Sequence, residues 1–162
     1  MSVISVLFLG FTFVTFWLNA NALEVDTKGT DLLLITVASN ATDGYKRFRR
    51  SAKVFDMPVE VLGMGQKWKG GNMKGPGGGY KVNLLIEALR KYANDNSKIV
   101  LFTDSYDVII LGTSAQIVEQ FEKLDARIVF SAEVFAWPDQ SLAEKYPISE
   151  SRYNFLNSGG II

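Results

Sequence analysis

The sequence predicts an α/β domain, Rossmann-like, with a mostly parallel sheet flanked by helices. Two observations carry the fold class. Short apolar runs of strand length recur at 32–38, 59–62, 99–102 and 127–130. Between them lie segments whose apolar residues repeat at helical spacing. Strands that alternate with helices build βαβ units, which lay the strands of one sheet parallel. A third observation concerns function: glycine-rich, acidic and aromatic stretches fall where the strands end. In open sheets of this kind, ligands bind beyond the carboxyl ends of the strands.

The first run, Leu32-Leu33-Leu34-Ile35-Thr36-Val37-Ala38, is almost unbroken and reads as a strand covered on both faces. Ser39-Asn40-Ala41-Thr42-Asp43-Gly44 supplies loop and cap chemistry. Tyr45, Phe48, Ala52 and Phe55 mark one face of an amphipathic helix, with Lys46, Arg47, Arg49 and Arg50 between them. After the strand at 59–62, a long glycine-rich loop covers 63–79. A second helix over 80–92 has Val82, Leu85, Ile86 and Leu89 as its predicted inner face. The strand at 99–102 leads into Thr103-Asp104-Ser105-Tyr106-Asp107, and 108–111 is short and extended. Ile117, Val118, Phe121 and Leu124 mark a third helix. A fourth strand is expected at 127–130, a short helix at 139–146 stopped by Pro147, and a strand-like segment at 153–162. No helix follows that last apolar segment, so the domain is expected to be incomplete at its C-terminus.

A length of 162 residues sets one domain as the expectation. Lys+Arg and Asp+Glu are equal at 17 each, so the basic excess of a nucleic-acid-binding protein is missing and no nucleic-acid partner is expected. With 48% hydrophobic and 21% charged residues, the chain is composed like a globular domain and not like a disordered one. It has no cysteine, which excludes a disulfide framework and a thiolate metal site. It has no histidine either, so a metal bound by these residues must be held through oxygen. Residues 1–22 read as a signal peptide: an apolar core from Val3 to Leu18, then Ala20-Asn21-Ala22 as the cleavage site. No Lys or Arg precedes the core, and an uncleaved anchor is the alternative. The mature domain, 23–162, is expected in the secretory pathway.

Three groups of residues could carry chemistry. Asp104 and Asp107 flank Ser105-Tyr106 at the end of a predicted buried strand. Two carboxylates in one turn can converge on a hard divalent cation. Such a cation neutralises the charge on a departing nucleoside diphosphate, and Mn²⁺ or Mg²⁺ suits an all-oxygen site. The D-x-x-D spacing is common, and a turn cap with a solvated carboxylate is the plain alternative. Second, Gly75-Pro76-Gly77-Gly78-Gly79-Tyr80-Lys81 runs into a helix, where bare amides and Lys81 suit a phosphate. It is not a P-loop, because Tyr80 separates Gly79 from Lys81 and Val82 follows. A flexible loop with a solvated lysine competes with the phosphate reading. Third, Trp68, Tyr106 and Trp137 are flat rings in loops that could stack a uracil or a sugar, or simply pack. Asn157-Ser158-Gly159-Gly160 offers an amide, a hydroxyl and open backbone, or else a bulge or turn.

Taken in order, these motifs resemble the N-terminal glycosyltransferase domain of the procollagen-lysine 2-oxoglutarate 5-dioxygenases. The resemblance rests on Ile35-Thr36-Val37-Ala38-Ser39, Gly65-Gln66-Lys67-Trp68-Lys69-Gly70-Gly71 and Gly77-Gly78-Gly79-Tyr80-Lys81-Val82. It continues through Phe102-Thr103-Asp104-Ser105-Tyr106-Asp107-Val108-Ile109, Phe130-Ser131-Ala132-Glu133, Trp137-Pro138 and Leu142-Ala143-Glu144-Lys145-Tyr146-Pro147. Phe155-Leu156-Asn157-Ser158-Gly159-Gly160 completes it, so the likeness spans about 32–162.

The resemblance implies a GT-A-type fold that binds a UDP-sugar and Mn²⁺. Asp104 and Asp107 then hold the metal, Ser39, Trp68, Met73, Lys81 and Tyr106 surround the UDP, and Trp137 matches a gating aromatic. The implied reaction transfers galactose from UDP-galactose to hydroxylysine of collagen, or glucose from UDP-glucose to galactosyl-hydroxylysine. It also implies the lumen of the endoplasmic reticulum, or secretion, and a homodimeric parent enzyme that hydroxylates procollagen lysine. The Fe²⁺ and 2-oxoglutarate of that hydroxylation belong to a C-terminal domain outside these residues. The family's acidic run and metal-binding histidine have no counterpart here, so this piece alone is expected to be inactive. A catalytically silent module that scaffolds the hydroxylase is the alternative. A dinucleotide-binding Rossmann enzyme is disfavoured, because Ser39-Asn40-Ala41-Thr42 stands where G-x-G-x-x-G would follow the first strand.

Overall fold

The computed structural model describes residues 5–8, 12–15, 31–71 and 78–162. The elements run β1 (Ser5–Phe8), β2 (Thr12–Thr15), β3 (Leu32–Val37), α1 (Asp43–Val54), β4 (Val59–Leu62) and α2 (Gly78–Leu89). They continue with β5 (Ile99–Thr103), β6 (Val108–Ile109), α3 (Ser114–Glu122), β7 (Phe130–Glu133) and β8 (Phe155–Ile161). Single 3₁₀ segments follow α2 at Arg90–Tyr92 and lie at Gln140–Lys145.

The main sheet has five strands in the order β4-β3-β5-β8-β7. β3 pairs parallel with both β4 and β5, while β8 runs antiparallel to β5 and β7. Four strands therefore point one way, and β8 alone opposes them. The mostly parallel, helix-flanked α/β sheet is the one the sequence predicts, consistent with a GT-A-type Rossmann-like domain. The chain moves from β3 to β4 on one side and returns to β5 on the other. That reversal is a topological switch point, the place where open sheets of this kind form a ligand crevice, here at the carboxyl ends of β3 and β5.

β1 and β2 pair antiparallel, and β1 also pairs with β6. Both strands lie within the expected signal segment, 1–22, and the main sheet takes no strand from it. Among the described residues no helix is long and apolar enough to cross a membrane.

β3 is buried along nearly its whole length, as its unbroken apolar run requires. Leu32 and Leu34 pack with Phe48 and Ala52 of α1, Met57, Val108, Ile110 and Val118 of α3 in the main core. α1 starts at Thr42, whose hydroxyl accepts from the Tyr45 amide at 3.3 Å. α3 starts at Thr113 with a capping box, in which Thr113 and Gln116 satisfy each other's amides. After β4 the chain turns at Gly63, whose φ of +78° disfavours any side chain.

Two elements differ from expectation. The fourth strand lies at Phe130–Glu133, not 127–130. The apolar run Ile128-Val129-Phe130 that suggested it is largely uncovered, with Ile128 64% and Phe130 43% exposed. β7 is an edge strand, so β8 pairing sets its limits more than burial does. The inner face of α2 is also turned by one residue. Val82 and Ile86 are half exposed, while Lys81, Leu84, Leu85, Ala88 and Leu89 face inward. An i, i+3, i+4 stripe that starts at a lysine is hidden from a reading based on apolar residues.

Candidate functional site

The site is built where β3 and β5 end. β5 delivers Asp104 directly after Thr103, and the Asp104 amide donates to the Gly159 carbonyl of β8 at 2.9 Å. Lys81, brought inward by α2, places its Nζ 3.1 Å from Asp104 Oδ1. The same ammonium donates to Ser158 through its carbonyl at 3.3 Å and its hydroxyl at 3.4 Å. It also lies 5.3 Å from the centre of the Phe102 ring. Lys81 is thus a shared donor between α2, β5 and β8, not a solvated loop charge.

Asp107 closes the same turn. Partial desolvation pushes its carboxyl above the usual carboxylate range, and the Asp104 charge adds to the rise. Its own backbone amide and the Lys81 charge pull the other way without cancelling it. The two carboxylates therefore feel each other, and a cation between them would relieve that repulsion. Ser105, between them, is buried, and its hydroxyl has no partner among the described residues. No cluster of three or more His, Cys, Asp or Glu occurs among the described residues. The donor set is two carboxylates, which fits a hard cation that completes its shell with ligand oxygens and water.

Tyr106 crosses the crevice. Its hydroxyl accepts from the amides of Ser39 at 3.0 Å and Asn40 at 3.2 Å. Burial pushes the phenol up, but the Ser39 side chain and the Asn40 and Ser39 amides outweigh it, and the net shift is down. Ser39 in turn accepts from the Gly65 amide through its carbonyl at 3.0 Å, and from Asn40 Nδ2 through its hydroxyl at 3.2 Å. β3, the loop after β4 and the acidic turn are joined through this one residue.

The structure brings Ser39, Lys81, Asp104, Tyr106 and Asp107 together. Trp68 is tied to the start of α2: its ring meets Tyr80 edge-on at 5.1 Å, and its Nε1 donates to the Gly71 carbonyl at 3.1 Å. Tyr80 immediately precedes Lys81 and bonds Gln66 Oε1 at 3.1 Å. Trp137 is separate. Its exposed ring meets Phe135 edge-on at 6.3 Å, and no hydrogen bond or ring contact among the described residues links it to the acidic turn. Met73 lies outside the described residues.

Sequence reasoning missed Glu133. It sits at the end of β7, only 8% exposed. Burial raises its carboxyl, against a hydrogen bond from the Asn157 side chain. A carboxylate ending an apolar strand at the ligand edge was the available signal. Asn157-Ser158-Gly159-Gly160 proves to be both strand and bulge. Phe130 pairs with Ile161 but Ser131 with Asn157, so β8 bulges at 158–160 against β7. Ser131 Oγ ties the bulge by donating to the carbonyls of Asn157 at 3.0 Å or Gly160 at 3.1 Å. This bulge is what aims Ser158 at Lys81.

The sequence family described as PLOD GT domain matches residues 28–162. The chain is 54% identical over 130 residues to the procollagen-lysine,2-oxoglutarate 5-dioxygenase of Drosophila melanogaster, covering 80% of this chain and 18% of that protein. It is 46% identical over 132 residues to procollagen-lysine,2-oxoglutarate 5-dioxygenase 2 of Mus musculus, covering 81% and 18%. The same figures hold for the multifunctional procollagen lysine hydroxylase and glycosyltransferase LH3 of Homo sapiens. The chain thus spans about a fifth of the length of these relatives. With the family match running through both βαβ units, the acidic turn and β8, the chain belongs to the PLOD GT domain family, the glycosyltransferase-type domain of the procollagen-lysine 5-dioxygenases.

Proposed function

We propose that this domain transfers a sugar from UDP-galactose or UDP-glucose to hydroxylysine or galactosyl-hydroxylysine of collagen, with Mn²⁺ bound at Asp104 and Asp107. The observation that carries the reading is the meeting of two carboxylates, one lysine and a crevice-spanning tyrosine at the β3–β5 switch point. A nucleotide-sugar needs such a set. Lys81 can bind a phosphate oxygen, Trp68 can stack the base, and Ser39 with Tyr106 lines the crevice that holds it. When bound, the cation supplies charge neutralisation for the leaving diphosphate. The domain would work in the endoplasmic reticulum lumen or be secreted, after cleavage behind Ala22. Its parent would be a homodimer that also hydroxylates procollagen lysine with Fe²⁺ and 2-oxoglutarate elsewhere in the polypeptide.

One observation favours a second reading, a silent module that supports the hydroxylase. Lys81 already neutralises Asp104, as the resting state of a site without metal would require. Calorimetry with UDP, with and without Mn²⁺, separates the two. Mn²⁺-dependent UDP binding, followed by UDP release from UDP-galactose or UDP-glucose in the presence of a hydroxylysine peptide, supports the transferase. A protein that binds neither is the scaffold.

A further inference from the structure

Gly44 is the second residue of α1. Glycine is a poor helix former, costing up to about 1 kcal/mol relative to alanine in a helix interior. Its reason for being there is contact. A Cβ at Gly44 would lie 1.9 Å from the Tyr106 carbonyl oxygen, 2.7 Å from its carbonyl carbon and 3.0 Å from its Cα. All three are backbone atoms, which cannot swing aside as the end of a long side chain can. The bare Cα of Gly44 is therefore a seat for the backbone of Tyr106.

The same tyrosine is fastened at its far end. Its hydroxyl accepts the Ser39 and Asn40 amides, which lie between the end of β3 and the start of α1. Tyr106 is thus held at both carbonyl and ring tip by the loop and first turn of a single βα unit. Asp107 follows it directly, and Asp104 lies two residues before it. Further along, α1 holds the segment that leaves the turn: Ser51 Oγ accepts from the Ile110 amide at 2.8 Å and donates to the Phe48 carbonyl at 2.8 Å.

We propose that Gly44 is a positioning residue for the acidic turn. Its bare Cα against the Tyr106 carbonyl, together with the Tyr106 hydroxyl on the Ser39 and Asn40 amides, sets the turn so that Asp104 and Asp107 face one ligand. The inference rests on the reading of that turn as a Mn²⁺–UDP site. A methyl group at 44 must push the Tyr106 backbone away, carrying Asp107 with it, while the core that α1 buries through Phe48 and Ala52 is untouched.

The test uses the intact protein as wild type, Gly44→Ala, Tyr106→Phe and the double variant. Calorimetry measures UDP binding with and without Mn²⁺, and hydrogen exchange follows the Ser39 and Asn40 amides. Each single variant is expected to lose roughly 10- to 100-fold of the Mn²⁺-dependent affinity, the scale of groups that orient metal ligands. UDP binding without metal should change less. The double variant should lose less than the product of the two, since both act on one turn. Ser39 and Asn40 should exchange faster in both single variants, because Tyr106 has left them. A folded Gly44→Ala protein with wild-type Mn²⁺-dependent affinity overturns the proposal. If Gly44→Ala does not fold, Tyr106→Phe decides, and unchanged affinity there overturns it equally. If the wild type shows no Mn²⁺-dependent UDP binding, the transferase reading fails by itself. The seating is then judged by exchange, and protection of Ser39 and Asn40 that survives Gly44→Ala refutes it.

Discussion

Lys81→Met keeps the apolar stem of the side chain and removes only its ammonium. In the wild type that ammonium lies 3.1 Å from Asp104, with the lysine 18% and the aspartate 39% exposed. At this distance and an effective dielectric of about 20, the gross attraction is roughly 5 kcal/mol. Desolvation of the ammonium and solvent access to Asp104 offset most of it, leaving about 1 kcal/mol net. The variant also leaves Asp104 and Asp107 facing each other without a positive charge, so the loss should reach the upper end of that scale. For a chain of this size, 1 kcal/mol moves Tm by about 2–4 °C. Thermal denaturation in EDTA should therefore show Lys81→Met melting a few degrees below wild type. Mn²⁺ would restore the missing charge, so it should raise the Tm of the variant more than that of the wild type. UDP binding in Mn²⁺ should nevertheless be weaker in the variant, because the phosphates have lost a donor. Equal melting in EDTA, or an equal rise with Mn²⁺, would refute the idea that lysine and metal share Asp104.

Asp104→Asn and Asp107→Asn each remove the charge of one proposed ligand and should weaken Mn²⁺-dependent UDP binding roughly 10- to 100-fold or more while the fold persists; wild-type affinity in both, by calorimetry, removes the metal assignment. Trp68→Ala should cost roughly 1–3 kcal/mol of UDP affinity, the scale of base stacking on an aromatic ring. Trp68→Phe should recover most of that, whereas equal losses in the two variants would point to the Gly71 hydrogen bond and not to stacking. Glu133 gives a pH prediction. Burial raises its folded pKa above the unfolded value, so the native state keeps its proton longer and loses stability as pH rises through that interval. Glu133→Gln should match wild type below the ordinary carboxylate pKa and exceed it at neutral pH; urea denaturation at both pH values checks this, and a pH-independent difference would contradict it.

Much of the fold was legible because burial and periodicity agree in it. β3 is an apolar run enclosed on both faces, and α1 alternates Phe48 and Ala52 with arginines, so local pattern and tertiary burial point the same way. The pattern fails where a polar group is buried for a partner. Lys81 on the inner face of α2 shifted the apparent stripe by one residue, because partners distant in sequence, Asp104 and Ser158, make that burial tolerable. It fails again at an edge: Ile128 and Phe130 are apolar but exposed, and the limits of β7 follow from pairing with β8. The acidic turn was readable from its two carboxylates at a strand end. The role of Tyr106 as a bridge was not, since its partners lie 67 and 66 residues away. Gly44 was equally hidden, for a glycine after a helix cap looks like loop chemistry until the opposing carbonyl is known.

The placement of Tyr106 also bears on which ligand this edge can hold. In α/β folds of this kind, the amides that open the first βα loop commonly bind a phosphate, aided by the helix behind them. Here the Tyr106 hydroxyl takes both the Ser39 and the Asn40 amide. A diphosphate at this edge would have to find its counter-charge across the crevice, on the side of β5. The groups there are Lys81, held in place by Ser158 and Asp104, and the carboxylates of Asp104 and Asp107. Carboxylates repel a phosphate unless a cation stands between them. On the proposed reading, the same tyrosine that closes the dinucleotide-type site leaves a metal at the carboxylates, together with Lys81, to hold a nucleoside diphosphate. A protein that bound UDP with wild-type affinity after removal of all divalent cations would break that chain of reasoning at its last link.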